Sequence, residues 1–265
     1  MPQSFHTNQI IPTRRCGNPL EDRGHLRISD VKINKKAVQF SNSRKTLNLF
    51  EGFKKGKNTV TFYYEAFPKQ TMYFVGTVIP NEVSGQVWTQ GQGKYTSHWF
   101  PSFDDVNEKV IFNMNITFDE KYNVIANGFL KNSYVKDNQK KWYYEMKKPM
   151  SSYLLALVIG DFRNKVVASK SGIPLQFFIQ PKDTAKFEPT YRHSKQIFDY
   201  LEKEIGVKYP WKLYKQVPVE DFLYAGMENT SCTIFAQDFV VGYTSNDRGF
   251  SPFLFEKGSI LGQQD

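Results

Sequence analysis

The sequence predicts a mainly β protein that contains a single long helix in its last third. Aromatic residues, which are enriched in strands, are abundant: 23 of the 265 residues are Phe and 15 are Tyr. Alternating apolar and polar residues, the pattern of strands with one buried face, recur through the middle of the chain. The spacing of three and four residues that is typical of an amphipathic helix occurs over one later stretch. A chain of this length can bury one large core or two of medium size.

The predicted elements begin after an irregular lead-in. Residues 1–25 are polar, rich in Pro, Gly and Arg, and show no hydrophobic period. Alternation then predicts strands over three runs: residues 60–64, 112–118 and 142–146. The uninterrupted apolar run at residues 154–159 indicates a strand that is buried on both faces. Between these runs, breaks such as Asn127-Gly128 are typical of hairpin turns.

The pattern changes after residues 160–162, Gly-Asp-Phe, which predicts a domain edge. One more extended segment follows at residues 175–179, where apolar residues alternate. Apolar residues then recur at spacings of three and four over residues 191–205, which predicts an amphipathic helix of about four to five turns. Pro189 suits the first turn of this helix, and Gly206 suits the cap beyond its last turn.

Net charge and cysteine content restrict the partners and the compartment. The chain has 35 basic and 26 acidic residues, a net charge of +9. Its lysines occur as separate pairs, such as Lys140-Lys141, without a nucleic-acid-binding motif, so we expect a solvated surface and no nucleic-acid partner. A basic nucleic-acid-binding β protein is an alternative that rests on charge alone. Two distant cysteines, Cys16 and Cys232, no secretory signal and no membrane span predict a cytoplasmic protein.

The strongest chemical signal is Gly226-Met227-Glu228-Asn229 in its sequence context. The three flanking segments that accompany it are Tyr-Pro-Trp at residues 209–211, Val-Pro-Val-Glu-Asp-Phe at residues 217–222 and Thr-Ile-Phe at residues 233–235. In this order the segments resemble the exopeptidase motif and its flanks in the M1 family of zinc aminopeptidases.

The resemblance implies that Glu228 holds the protonated N-terminus of a peptide substrate. A carboxylate at the end of a cleft pairs with this amine and fixes its distance from the first peptide bond, which makes an exopeptidase. Gly226, Met227 and Asn229 are implied to take part in substrate binding. Ala225 stands where the family has its leading glycine, which restricts the backbone without removing the carboxylate. The alternative is an ordinary strand-end carboxylate on a solvated face.

Two further blocks resemble the same family. Residues 88–109 are similar to a stretch in which a Thr-Gln segment leads to a Phe-Pro-x-x-Asp turn. This resemblance implies that Gln92, with Gln90 as a less favoured partner, reaches into the cleft and helps to hold the substrate. A polar loop without that role is the alternative. Residues 149–162 are similar to the segment that closes the family's N-terminal domain, and we assign them no chemistry.

The resemblance also implies a division of the chain. Residues 26–163 are expected to form an antiparallel β-sandwich or saddle-like N-terminal domain. Residues 164–241 are expected to form the first part of an α+β, thermolysin-like catalytic domain, truncated in this chain. Residues 242–265 are rich in glycine, show no period and are expected to form a divergent tail.

The family binds Zn²⁺ through a His-Glu-x-x-His helix, and this chain has no such motif. Its histidines are His6, His25, His98 and His193, no two of which lie four residues apart. Residues 248–265, where the motif is expected, contain no histidine. We therefore expect no metal ligands, no cofactor and no complete catalytic set in this chain, and no aminopeptidase activity from it alone.

Several explanations for the missing motif stay open. One is a gene fragment or a frame-disrupted product, and another is a partner chain that supplies the missing catalytic half. A third is a non-catalytic M1-like binding or scaffold protein that recognises peptide N-termini. Peptide N-termini are the expected partners, bound weakly or not at all, and an inert fragment would bind none.

Four other polar residues receive structural interpretations. Asp104 and Asp105 resemble a glycosidase pair, but adjacent residues on a turn point apart, so we expect them to make structural hydrogen bonds. His98 lies beside an aromatic pair and His193 on a predicted helix face. A lone histidine in such a place is typically a hydrogen-bonding group rather than a ligand or a base.

Overall fold

The computed structural model describes residues 26–42, 47–76, 85–93 and 95–243, and the backbone of the strand at residues 3–10. Strands dominate these residues and helices are few, so the predicted mainly β fold class is confirmed. Within these ranges no helix is long and apolar enough to cross a membrane. Residues 11–25 of the predicted lead-in and residues 244–265 of the predicted tail lie outside the described residues.

Strands β1 to β14 precede residue 163. They are β1 (Gln3–Ile10), β2 (Leu26–Ile33), β3 (Lys36–Ala37), β4 (Phe40–Asn42), β5 (Leu47–Leu49), β6 (Val60–Ala66), β7 (Met72–Val75), β8 (Gln86–Thr89), β9 (Lys109–Asp119), β10 (Asn123–Ala126), β11 (Phe129–Lys136), β12 (Gln139–Glu145), β13 (Met150–Ser151) and β14 (Leu157–Gly160). A first sheet has the order β1-β9-β12-β11, with β13 also paired to β9, and a second sheet has the order β10-β14-β8-β7. Two smaller ladders, β3-β2-β6 and β4-β5, complete this part.

The first and second sheets enclose an apolar core. Alternate residues of β9, among them Phe112, Met114 and Ile116, share this core with Leu157 and Ile159 of β14. The core also takes Trp142, Tyr144 and Met146. The alternation predicted for these two runs is therefore confirmed, because one side of each strand is buried and the other is not.

The C-terminal part is a mixed sheet that is covered by helices. Its elements are β15 (Arg163–Ala168), β16 (Pro174–Ile179), α1 (Phe187–Tyr191), α2 (Ser194–Ile205), β17 (Tyr214–Val219), β18 (Gly226–Met227) and β19 (Cys232–Ala236). In this third sheet the order is β15-β16-β17-β19-β18, and the pairs β16-β17 and β17-β19 are parallel. One face packs against Trp88 and Val158 of the second sheet, and the other packs against Tyr191 and Phe198 of the helices. The order of the layers is therefore the first sheet, the second sheet, the third sheet and the helices.

Two predicted boundaries are wrong. Residues 3–10, predicted to be irregular, form β1, which pairs in parallel with the edge of β9. Backbone pairing with an open sheet edge needs no hydrophobic period in the sequence. At residues 154–159 the strand starts only at Leu157. Before it, the main-chain N of Ala156 and O of Leu155 bond to the side chains of Asn127 and Thr89 instead of to a neighbouring strand.

The predicted helix exists but is divided in two. The interruption falls at Arg192 and His193, between α1 and α2, because the backbone of His193 (φ −99°, ψ −9°) departs from α-helical values. The predicted cap is confirmed, since Gly206 ends α2 in the left-handed conformation with φ 71°.

Asn127-Gly128, predicted to be a hairpin turn, carries the chain from the second sheet to the first. The side chain of Asn127 is fully buried, and its Nδ2 donates to the carbonyl oxygens of Leu154 at 3.0 Å and Thr230 at 2.6 Å. Its Oδ1 accepts a hydrogen bond from the main-chain N of Ala156 at 2.6 Å. We call Asn127 and Gly128 the joint. The hydrogen bonds of Asn127 connect the N-terminal sheets to the loop that follows β18.

A buried lysine crosses the same joint. Lys215 on β17 is 2% exposed, and its Nζ donates to the carbonyl oxygen of Ala126 at 2.6 Å and to that of Gly128. The ring of Tyr144 lies 4.9 Å from the ammonium group. Burial lowers the pKa of Lys215 to about 8, and burial raises the pKa of the neighbouring Cys232 thiol to about 11. The two groups therefore affect stability in opposite directions as pH rises.

We expect the free energy of unfolding to rise between pH 8 and pH 9. Above the folded-state pKa of Lys215, which is about 8, the unfolded chain binds more protons than the folded chain, so stability increases with pH. Above the ordinary Cys pKa of 9.0 the folded chain retains the extra proton on Cys232, which opposes any further increase. The gain is about 1 kcal/mol. Lys215→Met should abolish it, and urea denaturation at both pH values measures the effect; an equal rise in the variant contradicts the assignment.

Candidate functional site

The predicted substrate residues meet at one edge of the second and third sheets. Gln90 follows directly after β8, and Glu228 follows directly after β18. The main-chain O of Leu155 accepts hydrogen bonds from Oγ1 of Thr89 and from Nδ2 of Asn229, both at 3.4 Å. The segment at the end of β8, the segment before β14 and the segment after β18 are distant in the sequence, and these bonds hold them side by side.

Gln90 and Gln92 form one hydrogen-bonded unit against Met227. Gln90 is buried; its Oε1 accepts from the main-chain N of Gln92 at 3.1 Å, and its Nε2 donates to Gln92 Oε1 at 3.1 Å. The same Nε2 lies 3.8 Å from Sδ of Met227. Gln92 is exposed, and its own Nε2 has no hydrogen-bond partner within the described part of the chain. Gln90 therefore positions the turn, and Gln92 presents an amide to solvent.

Glu228 is exposed, and its negative charge acts on the phenol of Tyr153. Burial raises the pKa of the half-buried Tyr153, and the negative charge of Glu228 raises this pKa further. Tyr153 belongs to the block at residues 149–162, for which the sequence predicts no chemical role. The fold therefore adds the phenol of Tyr153 to the predicted carboxylate of Glu228. In the sequence, the place of Tyr153 within residues 149–162 is the one signal for this phenol.

The approach of the glutamine turn to Tyr153 requires a glycine. A Cβ atom on Gly91 would lie 2.8 Å from both Oγ1 of Thr96 and the main-chain O of Tyr153. The turn is also held from the other side, because its Gln90 N donates to the carbonyl of Thr71 at 2.9 Å. Thr71 has φ 70°, which is rare for a β-branched residue. Backbone strain of this kind is often found at binding sites.

Three buried oxygens around the turn have no hydrogen-bond partner in the described ranges: Thr71 Oγ1, Thr96 Oγ1 and Asn229 Oδ1. Thr71 and Thr96 adjoin the glutamine turn, and Asn229 follows Glu228. Such atoms are uncommon in native proteins, where water or a ligand usually satisfies them. Three of these atoms therefore lie beside the residues that the sequence predicts to bind substrate.

The other residues of the motif have identifiable places. Asn229 is buried, and its main-chain O accepts a hydrogen bond from Cys232 N at 2.9 Å, so it shapes the turn after Glu228. A Cβ atom on Gly226 would lie no closer than 3.6 Å to any neighbour, so packing does not demand a glycine there. The substrate-binding roles of Gly226, Met227 and Asn229 stay predictions.

The structural roles expected for the paired aspartates are confirmed. Asp104 accepts hydrogen bonds from Ser97 N at 3.1 Å and from Ser102 Oγ at 3.2 Å. Asp105 accepts one from Asn107 N at 2.9 Å. Both carboxylates therefore order the turn that leads into β9.

The described residues do not fit a zinc ion. They contain no group of three or more His, Cys, Asp or Glu side chains that could hold a metal. The ring of His98 packs edge-on against Tyr95, with 5.4 Å between the centroids, and Nδ1 of His193 lies 3.4 Å from Oε1 of Gln196. The zinc that the sequence resemblance implies therefore has no ligand set in this part of the chain.

Comparisons with known proteins match both parts of the chain. Residues 20–154 match the family model of the peptidase M1 N-terminal domain, and residues 190–249 match that of the peptidase family M1 domain. Glutamyl aminopeptidase from Homo sapiens is 30% identical over 131 residues, which cover 49% of this chain and 14% of that protein. Aminopeptidase A from Gloydius brevicauda and the mitochondrial aminopeptidase 2 from Saccharomyces cerevisiae show the same identity and coverage. The alignment thus spans a small part of each relative.

Proposed function

Because the chain belongs to peptidase family M1, we propose that it provides the part of an aminopeptidase site that binds the N-terminus of a peptide. The observation that carries this proposal is the assembly of Glu228, Tyr153 and Gln92 at one edge of the sheets. The three unpartnered oxygens beside them support it, because a peptide backbone and its water can satisfy such atoms.

The residues of the edge have complementary chemical roles. Glu228 accepts hydrogen bonds from the terminal ammonium group of the peptide, and such charge-assisted bonds are stronger than neutral ones. The phenol of Tyr153 is protonated at neutral pH, as an ordinary tyrosine is, so it can donate to a substrate carbonyl. The unpaired Nε2 of Gln92 is a second donor. Together these groups fix the amine at a set distance from the first peptide bond.

We further propose that these 265 residues do not hydrolyse peptides on their own. In the family's chemistry, zinc polarises the scissile carbonyl and activates a water molecule. The sequence has no pair of histidines four residues apart, and the described residues have no metal-binding group, so we assign no catalytic step to them. The alternative is a non-catalytic scaffold protein that recognises peptide N-termini. The one observation in its favour is the sheet edge that carries Glu228, Tyr153 and Gln92, and both proposals share this observation.

Glu228→Gln should weaken the binding of a peptide with a free N-terminus by about tenfold, because an ion pair is replaced by a neutral contact. Fluorescence anisotropy with a peptide labelled at its C-terminus measures the affinity. Glu204→Gln is the matched control, since Glu204 is an exposed carboxylate on α2 and should leave the affinity unchanged. Equal affinities of the Glu228→Gln and wild-type proteins contradict the proposed clamp.

A further inference from the structure

The hairpin formed by β11 and β12, together with the segment directly after it, is positively charged. Residues 129–145 contain four lysines and two acidic residues, and Lys147 and Lys148 follow, so residues 129–148 have a net charge of +4 out of +9 for the whole chain. Three of these lysines lie over aromatic rings of the same hairpin: Lys131 over Tyr143 at 5.6 Å, Lys140 over Trp142 at 5.4 Å and Lys141 over Tyr134 at 5.9 Å. Lysines that form separate pairs in the sequence are therefore brought together with aromatic residues by the fold.

The outer face of β9, β12 and β11 contains a shallow depression of about 310 Å³. The strand register places two rows of three side chains across it. One row is Asn115, Tyr143 and Asn132, and the other is Thr117, Lys141 and Tyr134. The volume lies at the lower end of the range for ligand-binding clefts. Neighbouring strands are about 4.8 Å apart, so three strands give a platform of roughly the footprint of a disaccharide.

The hydrogen-bonding groups of this depression are largely unpaired. The side-chain amides of Asn115 and Asn132 and the phenol groups of Tyr134 and Tyr143 have no hydrogen-bond partner in the described part of the protein. The ammonium group of Lys141 has no carboxylate partner there either. Tyr134 is 51% exposed, so part of its ring is open to a ligand.

We propose that this depression binds an acidic sugar unit of an oligosaccharide. A pyranose ring has apolar CH faces that can pack on a tyrosine ring, and hydroxyl groups that match the donors and acceptors of the two asparagine amides. Lys141, at the middle of its row, pairs with a carboxylate or sulfate group on the sugar. The site is independent of the Glu228 edge, because the opposite side of this sheet faces the apolar core.

The composition of the depression favours a saccharide over a nucleic acid. A nucleic-acid strand requires several cations along its phosphate backbone. Lys141 is the one cation within the two rows, where it stands among neutral amides, a hydroxyl and phenols; Lys131 and Lys140 lie over the rings of Tyr143 and Trp142 and do not continue the row. That ratio suits a ligand that is rich in hydroxyl groups and has one acidic group per unit.

The test is a titration of the full chain with defined oligosaccharides, followed by calorimetry. The probes are a hyaluronan hexasaccharide, which has carboxylates, a heparin hexasaccharide, which also has sulfates, neutral chitohexaose and a short single-stranded oligonucleotide. We expect at least one acidic saccharide to bind about tenfold more tightly than chitohexaose. Lys141→Met and Tyr134→Ala should each weaken that binding by about tenfold.

Two matched variants control for general charge and aromatic content. Lys165 on β15 also lies over a ring, that of Phe187 at 5.9 Å, and Tyr63 on β6 also has a lysine over its ring, Lys32 at 5.0 Å. Lys165→Met and Tyr63→Ala should leave binding unchanged. The proposal is overturned by the absence of acidic-saccharide binding, by binding that all four variants affect equally, or by equal binding of chitohexaose. Tighter binding of the oligonucleotide through Lys141 and Tyr134 assigns the face to nucleic acid and also overturns it.

Discussion

Replacing Asn127 with leucine should lower the free energy of unfolding by about 3 to 5 kcal/mol. Leucine has a similar size, so it leaves little cavity, but it cannot make the three hydrogen bonds of the asparagine amide. The carbonyl groups of Leu154 and Thr230 and the main-chain N of Ala156 would then be buried without these partners. Each buried polar group that loses its partner costs about 1 to 3 kcal/mol.

Urea denaturation followed by circular dichroism measures the effect of Asn127→Leu. Asn164→Leu is the matched control, because Asn164 is an exposed residue on β15 with no side-chain partner in the described ranges. It should change stability by less than about 0.5 kcal/mol. The central role of the joint is contradicted if the two variants lose similar amounts of stability.

Replacing Gly128 with alanine should cost about 3 kcal/mol of stability, for two separate reasons. Gly128 has φ 72°, and a Cβ atom there would lie 2.3 Å from the main-chain O of Glu145 and 2.8 Å from Sδ of Met146. Backbone groups must move to make room, and the bonds of Gly128 to Ser231 and Lys215 must move with them.

Gly172→Ala separates the two causes in the Gly128 prediction. Gly172 also has a positive φ, 86°, but no atom lies within 4 Å of a Cβ atom placed there. Alanine at this position should therefore cost about 1 kcal/mol from backbone strain alone. Thermal or urea denaturation of both variants gives the difference, which measures the steric part. Equal losses would show that residues 145 and 146 do not constrain the joint.

The strands that the sequence predicts best are those with one buried face. Alternation identified the inward residues of β9 and β12, because a period of two follows directly from strand geometry. Periodicity does not say which sheet a strand joins, so the sequence predicts a hairpin turn at Asn127-Gly128, where the chain instead crosses from one sheet to another. A buried asparagine and a turn asparagine look the same in a sequence. Likewise β1 pairs through backbone groups, which leave no hydrophobic signature.

The candidate site was predictable to the extent that it lies in local motifs. Glu228 and Gln92 stood out because of the residues around them, and the fold brings their segments together. No local pattern predicts that Gln90 is buried and hydrogen-bonded to Gln92, or that the charge of Glu228 acts on the phenol of Tyr153. These contacts arise because three distant segments pack together, and such packing cannot be predicted from the local patterns of a single sequence.

The proposed clamp is tested most directly by the affinity of one peptide with and without an acetylated N-terminus. The titration is done in the presence of a chelator, and mass spectrometry afterwards shows whether the peptide is intact. We expect the free amine to bind about tenfold more tightly than the acetylated peptide, and both peptides to remain uncleaved. Equal affinity of the two peptides, or cleavage that appears when the chelator is left out, would contradict a chain that binds the peptide end without the metal half of the site.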